Sequence, residues 1–186
     1  MITMSVVIAM LRAVNVAGYQ KLNMEALRTL CSGLGLRDVQ TYIQSGNLVF
    51  RADTGDPETL ARKIENEIHR KYGFRPDVIV RTTSELRKVI ANNPFAGRPE
   101  VEPNRLLVVF MASAPARQAR EQILAIPCEP EELHIKGREL YIYYPNGMAR
   151  PKIPMARIEK LLATSSTGRN WNTVNKLLSM AAALEG

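Results

Sequence analysis

Read for periodicity, the chain runs through short apolar stretches and amphipathic stretches in the order β-α-β-β-α-β, and then begins the same order again. Few folds accept that order, which is the split-βαβ or ferredoxin-like sequence of elements. Val6 to Leu11 is a continuous apolar run of strand length. Met24 to Leu34 follows with Leu27, Leu30, Cys31 and Leu34 at helical spacing, Asn23 placed to cap it and Gly33 and Gly35 to end it. Val39 to Gln44 and Leu48 to Arg51 flank Ser45-Gly46-Asn47, a turn that reads as a β-hairpin. Asp56-Pro57-Glu58 opens a helix with Leu60, Ile64 and Ile68 on one face, Gly73 stops it, and Asp77 to Arg81 is a fourth strand.

Thr82-Thr-Ser-Glu85 has the spacing of a capping box and starts a connecting helix through about Ala91. Asn92 to Pro99 is rich in turn formers and marks a boundary, so two domains are expected, 1–92 and 100–186. The second half supplies a strand at Leu106–Met111, a helix from Pro115 to about Ile126, strands at Glu132–Ile135 and Leu140–Tyr144 joined at Lys136-Gly-Arg138, and a helix from Pro154 to about Ala163. Where a final strand would close this unit, the sequence has a polar stretch, Thr164 to Asn172. The expectation there is that the strand is replaced by that segment and a closing helix carrying Val174, Leu177, Leu178 and Ala181. The fold class that follows is α+β, two tandem ferredoxin-like (β-α-β-β-α-β) subdomains with an additional C-terminal helix.

Val6-Val7-Ile8, Val78-Ile79-Val80 and Leu106 to Phe110 are apolar at both parities, as strands covered on both faces are. The second face of each sheet is expected to be covered by the other unit or the terminal helix, which counts against an open platform on which bases stack.

With 46% apolar residues the chain can bury a substantial core, and its net charge of +7 favours anionic over cationic partners. That charge is spread over both halves without a basic tail. Cys31 and Cys128 form no disulfide framework and no zinc spacing, which suits a reducing, cytoplasmic compartment. Met1 to Leu11 lacks a basic leader region and is cut short by Arg12, so it reads as a buried strand and no membrane association is expected; Met1 and Met4 are both possible starts.

Three segments carry more side-chain donors than solvation requires: Arg12, Asn15 and Lys21; Tyr42, Gln44, Ser45 and Asn47; and Arg169, Asn170, Trp171, Asn172 and Lys176. At these residues the chain resembles a known family. Leu11 to Gly18, Lys21 to Met24, Thr41 to Phe50, Asn93-Pro94-Phe95 and Arg169 to Leu177 are similar to the bacterial family DUF1697, a domain of unknown function. The resemblance covers essentially the whole chain and implies tandem ferredoxin-like subdomains without implying an activity. This chain departs from the family pattern at Ala13 and Ala17, where glycines are common; if those glycines let backbone approach a ligand, the added methyls narrow that approach.

An asparagine at 170 or 172 capping the last helix, with Arg169 beside it and Lys176 one turn on, would make an anion receptor; the ordinary alternative is a cap, a Trp171 staple and an Arg169 ion pair. Arg12, Asn15 and Lys21 lie at the exit of the first strand, where open sheets often bind ligands, or else satisfy loop carbonyls. Ser45-Gly46-Asn47 is either only a turn or a source of ligand contacts. His69 and His134 are isolated, Gly33-Leu-Gly35 is a helix stop, and Tyr141, Tyr143 and Tyr144 read as strand residues. No cofactor and no metal are expected. The leading expectation is a protein that binds a small anionic ligand at a polar cluster between these segments. A nucleic-acid-binding module ranks below it, as does an enzyme acting on a phosphorylated or carboxylated substrate with Lys21 or Ser45 as the chemical group. The sequence fixes neither a reaction nor an oligomeric state.

Overall fold

A computed structural model describes residues 4–53 and 55–186; Met1, one of the two possible starts, lies outside them. The chain forms two compact units, Met1–Arg87 with Lys176–Gly186, and Lys88–Asn175.

In the first unit the elements are β1 (Met4–Leu11), α1 (Met24–Gly33), β2 (Arg37–Tyr42), β3 (Asn47–Asp53), α2 (Pro57–Tyr72) and β4 (Val78–Thr82), followed by the start of α3 (Thr83–Ala91). Its four strands lie in the order β2-β3-β1-β4, every neighbouring pair antiparallel. The local signals work as read. Asn23 accepts Ala26 N–H at 3.0 Å, Asp56 accepts Thr59 N–H at 3.0 Å with Pro57 next in the chain, and Gly73 closes α2 at φ 78°. At the head of α3 the capping box is complete: Glu85 N–H donates to Thr82 Oγ1 at 3.1 Å and Thr82 N–H to Glu85 Oε2 at 2.8 Å. The face of β1 that carries Val7, Ala9 and Leu11 packs in one core with Leu27, Leu30 and Cys31 of α1 and Ile64 and Ile68 of α2. Burying an aliphatic side chain of this kind contributes about 1.5–3 kcal/mol. The opposite face is buried too, since Ile8 and Met10 are both at 0% exposure and Ile79 at 2%. The end of α6 (Trp171–Glu185) belongs to this unit, where Arg51 donates to the Leu184 carbonyl and Arg87 pairs with Glu185 at 2.7 Å.

The second unit repeats the plan with β5 (Leu106–Met111), α4 (Arg117–Leu124), β6 (Glu132–Lys136), β7 (Glu139–Tyr143), α5 (Met155–Leu162) and β8 (Ser166–Asn170), in the strand order β6-β7-β5-β8. Here one expectation is corrected. The segment thought to replace the final strand is that strand: Ser166 to Asn170 pairs antiparallel with β5, from Met111↔Ser166 to Leu107↔Asn170. The polar composition hid it, because an edge strand draws its stability from hydrogen bonds to β5 and needs no apolar run of its own. The core joins Val109, Met111, Leu140 and Ile142 with Ile123, Ile158 and Leu162. On the other face Phe110 and Tyr141 are fully buried, and Tyr141 Oη donates to the Val89 carbonyl at 2.7 Å. Tyr143 and Tyr144 are buried as well, so the tyrosines serve the sheet. The turn after α3 is fixed to this unit by Phe95, edge-on to His134 at 5.1 Å, and by Arg98, which grips Glu132 through two bonds of 2.8 and 3.0 Å.

Both sheets have the 4-1-3-2 order of a ferredoxin-like unit, and both final strands run directly into a helix. No helix among the described residues is long and apolar enough to cross a membrane.

Candidate functional site

The exit of β1 is where two of the three donor-rich segments meet. Leu11 N–H donates to Gly46 O at 2.8 Å, which sets the hairpin turn against the end of the strand, and Arg12 N–H donates to Asp77 O at 2.9 Å. From there the chain takes an unusual path. Ala13, Asn15, Ala17 and Gln20 have φ of 55°, 56°, 48° and 47°, and Gly18 has 81°, so five residues of one short loop are left-handed. For residues with a Cβ each such position costs about 1–2 kcal/mol, and a loop holds them only where other bonds over-determine it.

Asn15 supplies those bonds. Its Nδ2 donates to Leu22 O at 2.8 Å and to Gln44 O at 2.7 Å, while its Oδ1 accepts Leu22 N–H at 2.8 Å. The loop is thereby closed on itself and tied to the turn. Between those anchors, Tyr19 N–H donates to Val16 O at 2.9 Å, and the left-handed pair Ala17-Gly18 makes the tight reversal that a type I′ turn needs. In the hairpin, Asn47 is wholly buried and gives both amide hydrogens away, to Tyr42 O at 2.9 Å and Ser45 Oγ at 3.0 Å. Gly46 holds φ 80°, and a Cβ there would sit 2.6 Å from Val14 Cγ2 and 2.9 Å from Leu11 Cβ. Asn15, Ser45 and Asn47 are therefore employed in building the surface. Lys21 and Gln44 are exposed on it, and Arg12 and Tyr42 are half-buried. Arg28 of α1 donates to Thr41 Oγ1 of β2.

The third segment, apart from Lys176, lies in the second unit. Arg169 is buried, with Nη1 donating to Thr167 Oγ1 at 2.7 Å and to Gly168 O at 2.9 Å. Burial pulls its guanidinium down to about 10. Asn170 is the cap of α6, its Oδ1 accepting Asn172 N–H at 3.0 Å and its Nδ2 donating to Asn104 O at 3.1 Å. Trp171 is half-buried at the head of the helix, and Asn172 and Lys176 are exposed. The first unit has a counterpart. Arg169 stands opposite Val108 in the sheet as Arg81 stands opposite Ile8, and Arg81 Nη1 likewise donates to the carbonyl before it, Val80 O, at 2.9 Å. Both arginines are buried one residue before the cap of the next helix. A buried arginine at this point is thus a feature of the repeat, legible only by aligning the two halves through their strand registers.

Sequence reasoning missed two features. Val16, Tyr19 and Ile43 are exposed at 57%, 77% and 50% on the loop and turn just described. A cavity of about 450 Å³ also lies in the first unit, lined by Ser5, Arg51, Thr83, Ser84 and Glu185 among others, at the opposite end of β1. The Arg87 guanidinium holds the Glu185 carboxyl below the usual carboxylate range. Composition gives no sign of that cavity, because its walls come from four distant stretches of chain. Among the described residues no three His, Cys, Asp or Glu side chains gather as a metal site requires.

A family model described as "Protein of unknown function (DUF1697)" matches residues 4–141. A solved structure, that of the conserved bacterial protein SP0830 from Streptococcus pneumoniae, is similar over 97% of this chain and 99% of that one, with a TM-score of 0.77 and 19% identity. At that identity the likeness speaks for the fold. A comparison with curated proteins finds no match.

Proposed function

The chain belongs to the DUF1697 family, whose function is unknown, and we propose that it binds a small anionic ligand on the surface made by the Arg12–Lys21 loop and the Tyr42–Asn47 turn. One observation carries this reading: the Asn15 side chain makes three hydrogen bonds of 2.7–2.8 Å, two closing the loop on Leu22 and one tying it to Gln44 of the turn, against the strain of the left-handed residues. Strain of that kind persists where a surface must hold a set shape. Arg12 and Lys21 are the charged residues of the two segments 12–22 and 39–50, and neither segment contains a carboxylate. An anion would meet donors already in place, so little ordering free energy is lost on binding.

The sequence-level cluster also included Arg169 to Lys176. Arg169 is bonded into its own strand and Asn170 into a helix cap, so the reading rests on the first-unit residues.

A thermal-shift screen against phosphates, nucleotides, carboxylates, sugars and oligonucleotides tests it, because a ligand of the folded state raises its stability by mass action. The expected result is a rise in Tm with anions that is reduced in Lys21→Ala and in Arg12→Ala. If no anion raises Tm, or if both variants respond as the parent does, the proposal fails.

A further inference from the structure

We infer that the anion this surface takes carries a flat apolar ring, stacked on Tyr19 while its charged group meets Lys21 and Arg12; the inference rests on the anion-binding reading above. Arg12 and Lys21 explain a preference for negative charge. They do not explain why the same surface exposes apolar side chains. Three of the four large apolar side chains exposed among the described residues, Val16, Tyr19 and Ile43, belong to this loop and turn. Lone exposed apolar residues need no explanation, but a group of them on one built surface does.

The bonding brings them near one another. Val16 and Tyr19 face each other across the tight reversal as an antiparallel bridge. Asn15, next to Val16, bonds to Gln44, next to Ile43, at 2.7 Å. Lys21 is likewise held beside Asn15 by the 2.8 Å bond from Leu22 N–H. An exposed tyrosine on a backbone that is already ordered offers a ring face at small entropic cost, and stacking on such a face tolerates any planar partner. Charge complementarity selects the partner's other end. The ligand chemistry that uses both is an aryl or heteroaryl group bearing a phosphate or carboxylate. It can come as a free small molecule or as a unit of single-stranded nucleic acid.

The test is a ¹H–¹⁵N chemical-shift titration of the full chain with inorganic phosphate, phenyl phosphate, a nucleoside monophosphate and a short single-stranded oligothymidylate, repeated on Tyr19→Ser. Tyr19 is 77% exposed, so the substitution leaves the core untouched. Phenyl phosphate is expected to shift the amides of residues 16–21 and 43–45, to bind about tenfold or more tightly than inorganic phosphate, and to fall to the phosphate level in Tyr19→Ser. Oligothymidylate binding tighter than the monophosphate, with the same dependence on Tyr19, identifies the polymer as the source; equal binding identifies the free molecule. Phosphate and phenyl phosphate of equal affinity overturn the inference and leave anion binding standing. A ring preference that survives Tyr19→Ser also overturns it. If none of the four shifts the loop amides, the inference and the anion-binding reading fall together.

Discussion

The side-chain amide of Asn15 donates at 2.7 Å to the carbonyl of Gln44, 29 residues further along the chain, and this bond joins the loop after β1 to the hairpin between β2 and β3. The same side chain also brackets Leu22, through its carbonyl and its N–H. Asparagine suits the position twice over, because it tolerates the left-handed φ of 56° and has the donors and acceptor the loop needs. Asn15→Ala should destabilise the protein by about 3–4 kcal/mol, from three lost hydrogen bonds at about 1 kcal/mol each and from the poorer fit of alanine to the left-handed region. Asn15→Gly separates the two effects, since it keeps the backbone freedom and loses the bonds. It should fall between alanine and the parent in urea denaturation; a glycine variant as stable as the parent would show that the bonds contribute nothing.

Ala13 and Ala17 hold φ of 55° and 48° and are exposed. The glycines common at these positions in the family therefore need no ligand to explain them; the backbone alone favours them. Ala13→Gly and Ala17→Gly should each stabilise the protein by about 0.5–1 kcal/mol, the left-handed penalty less the extra entropy glycine brings to the unfolded chain. Urea midpoints at constant m value measure this. Unchanged or lower midpoints would mean that the methyls make contacts that offset the strain.

That pair of alanines also shows where sequence reading stops. The helices were legible because their ends are written in side chains: Asn23, Asp56 and the Thr82–Glu85 box each make the bond their spacing implies. The central strands were legible because both faces are buried. β8 was not, since Ser166-Thr-Gly-Arg-Asn170 carries no apolar alternation and owes its conformation to the free edge of β5. Of the site, the residue types were visible and their employment was not. Asn47 could as well have faced a ligand as the Tyr42 carbonyl, and nothing in the letters Ala-Val-Asn-Val-Ala-Gly-Tyr-Gln announces that five of those eight residues take a positive φ.

Gly46 and Gly18 differ in a way that stability measurements resolve. Both are left-handed, at φ 80° and 81°, but a Cβ on Gly18 would meet nothing within 4 Å, whereas on Gly46 it would overlap Val14 and Leu11 at 2.6 and 2.9 Å. Gly18→Ala should destabilise by about 1 kcal/mol, the backbone term alone. Gly46→Ala should exceed about 3 kcal/mol, since Leu11 and Val14 are core residues that can move only by disturbing the end of β1 and the loop that follows it. Similar values for the two would mean that the hairpin turn does not press on the strand end.

Cys31 connects the core to pH. It is fully buried on α1, and burial pushes its thiol from 9.0 up to about 12. Because the folded value is raised, the folded chain keeps this proton where the unfolded chain gives it up. The unfolded state therefore binds fewer protons between about pH 9 and 12, and stability falls as pH rises through that window. Tyr144, pushed up to about 12 by burial and then by Glu131, acts in the same direction, so the alkaline slope is shared. Cys31→Ala should lower overall stability through the small cavity it leaves, yet make stability less steeply dependent on pH above 9, by up to about 1.4 kcal/mol per pH unit. Urea unfolding at a series of pH values from 8 to 11 reads the slope separately from the level. At pH 8 a thiol reagent should label half-buried Cys128 in the folded protein and both cysteines only after unfolding. Rapid labelling of Cys31 in the folded state, or identical slopes in parent and variant, would show that this helix opens readily and that its thiol is not held in the core.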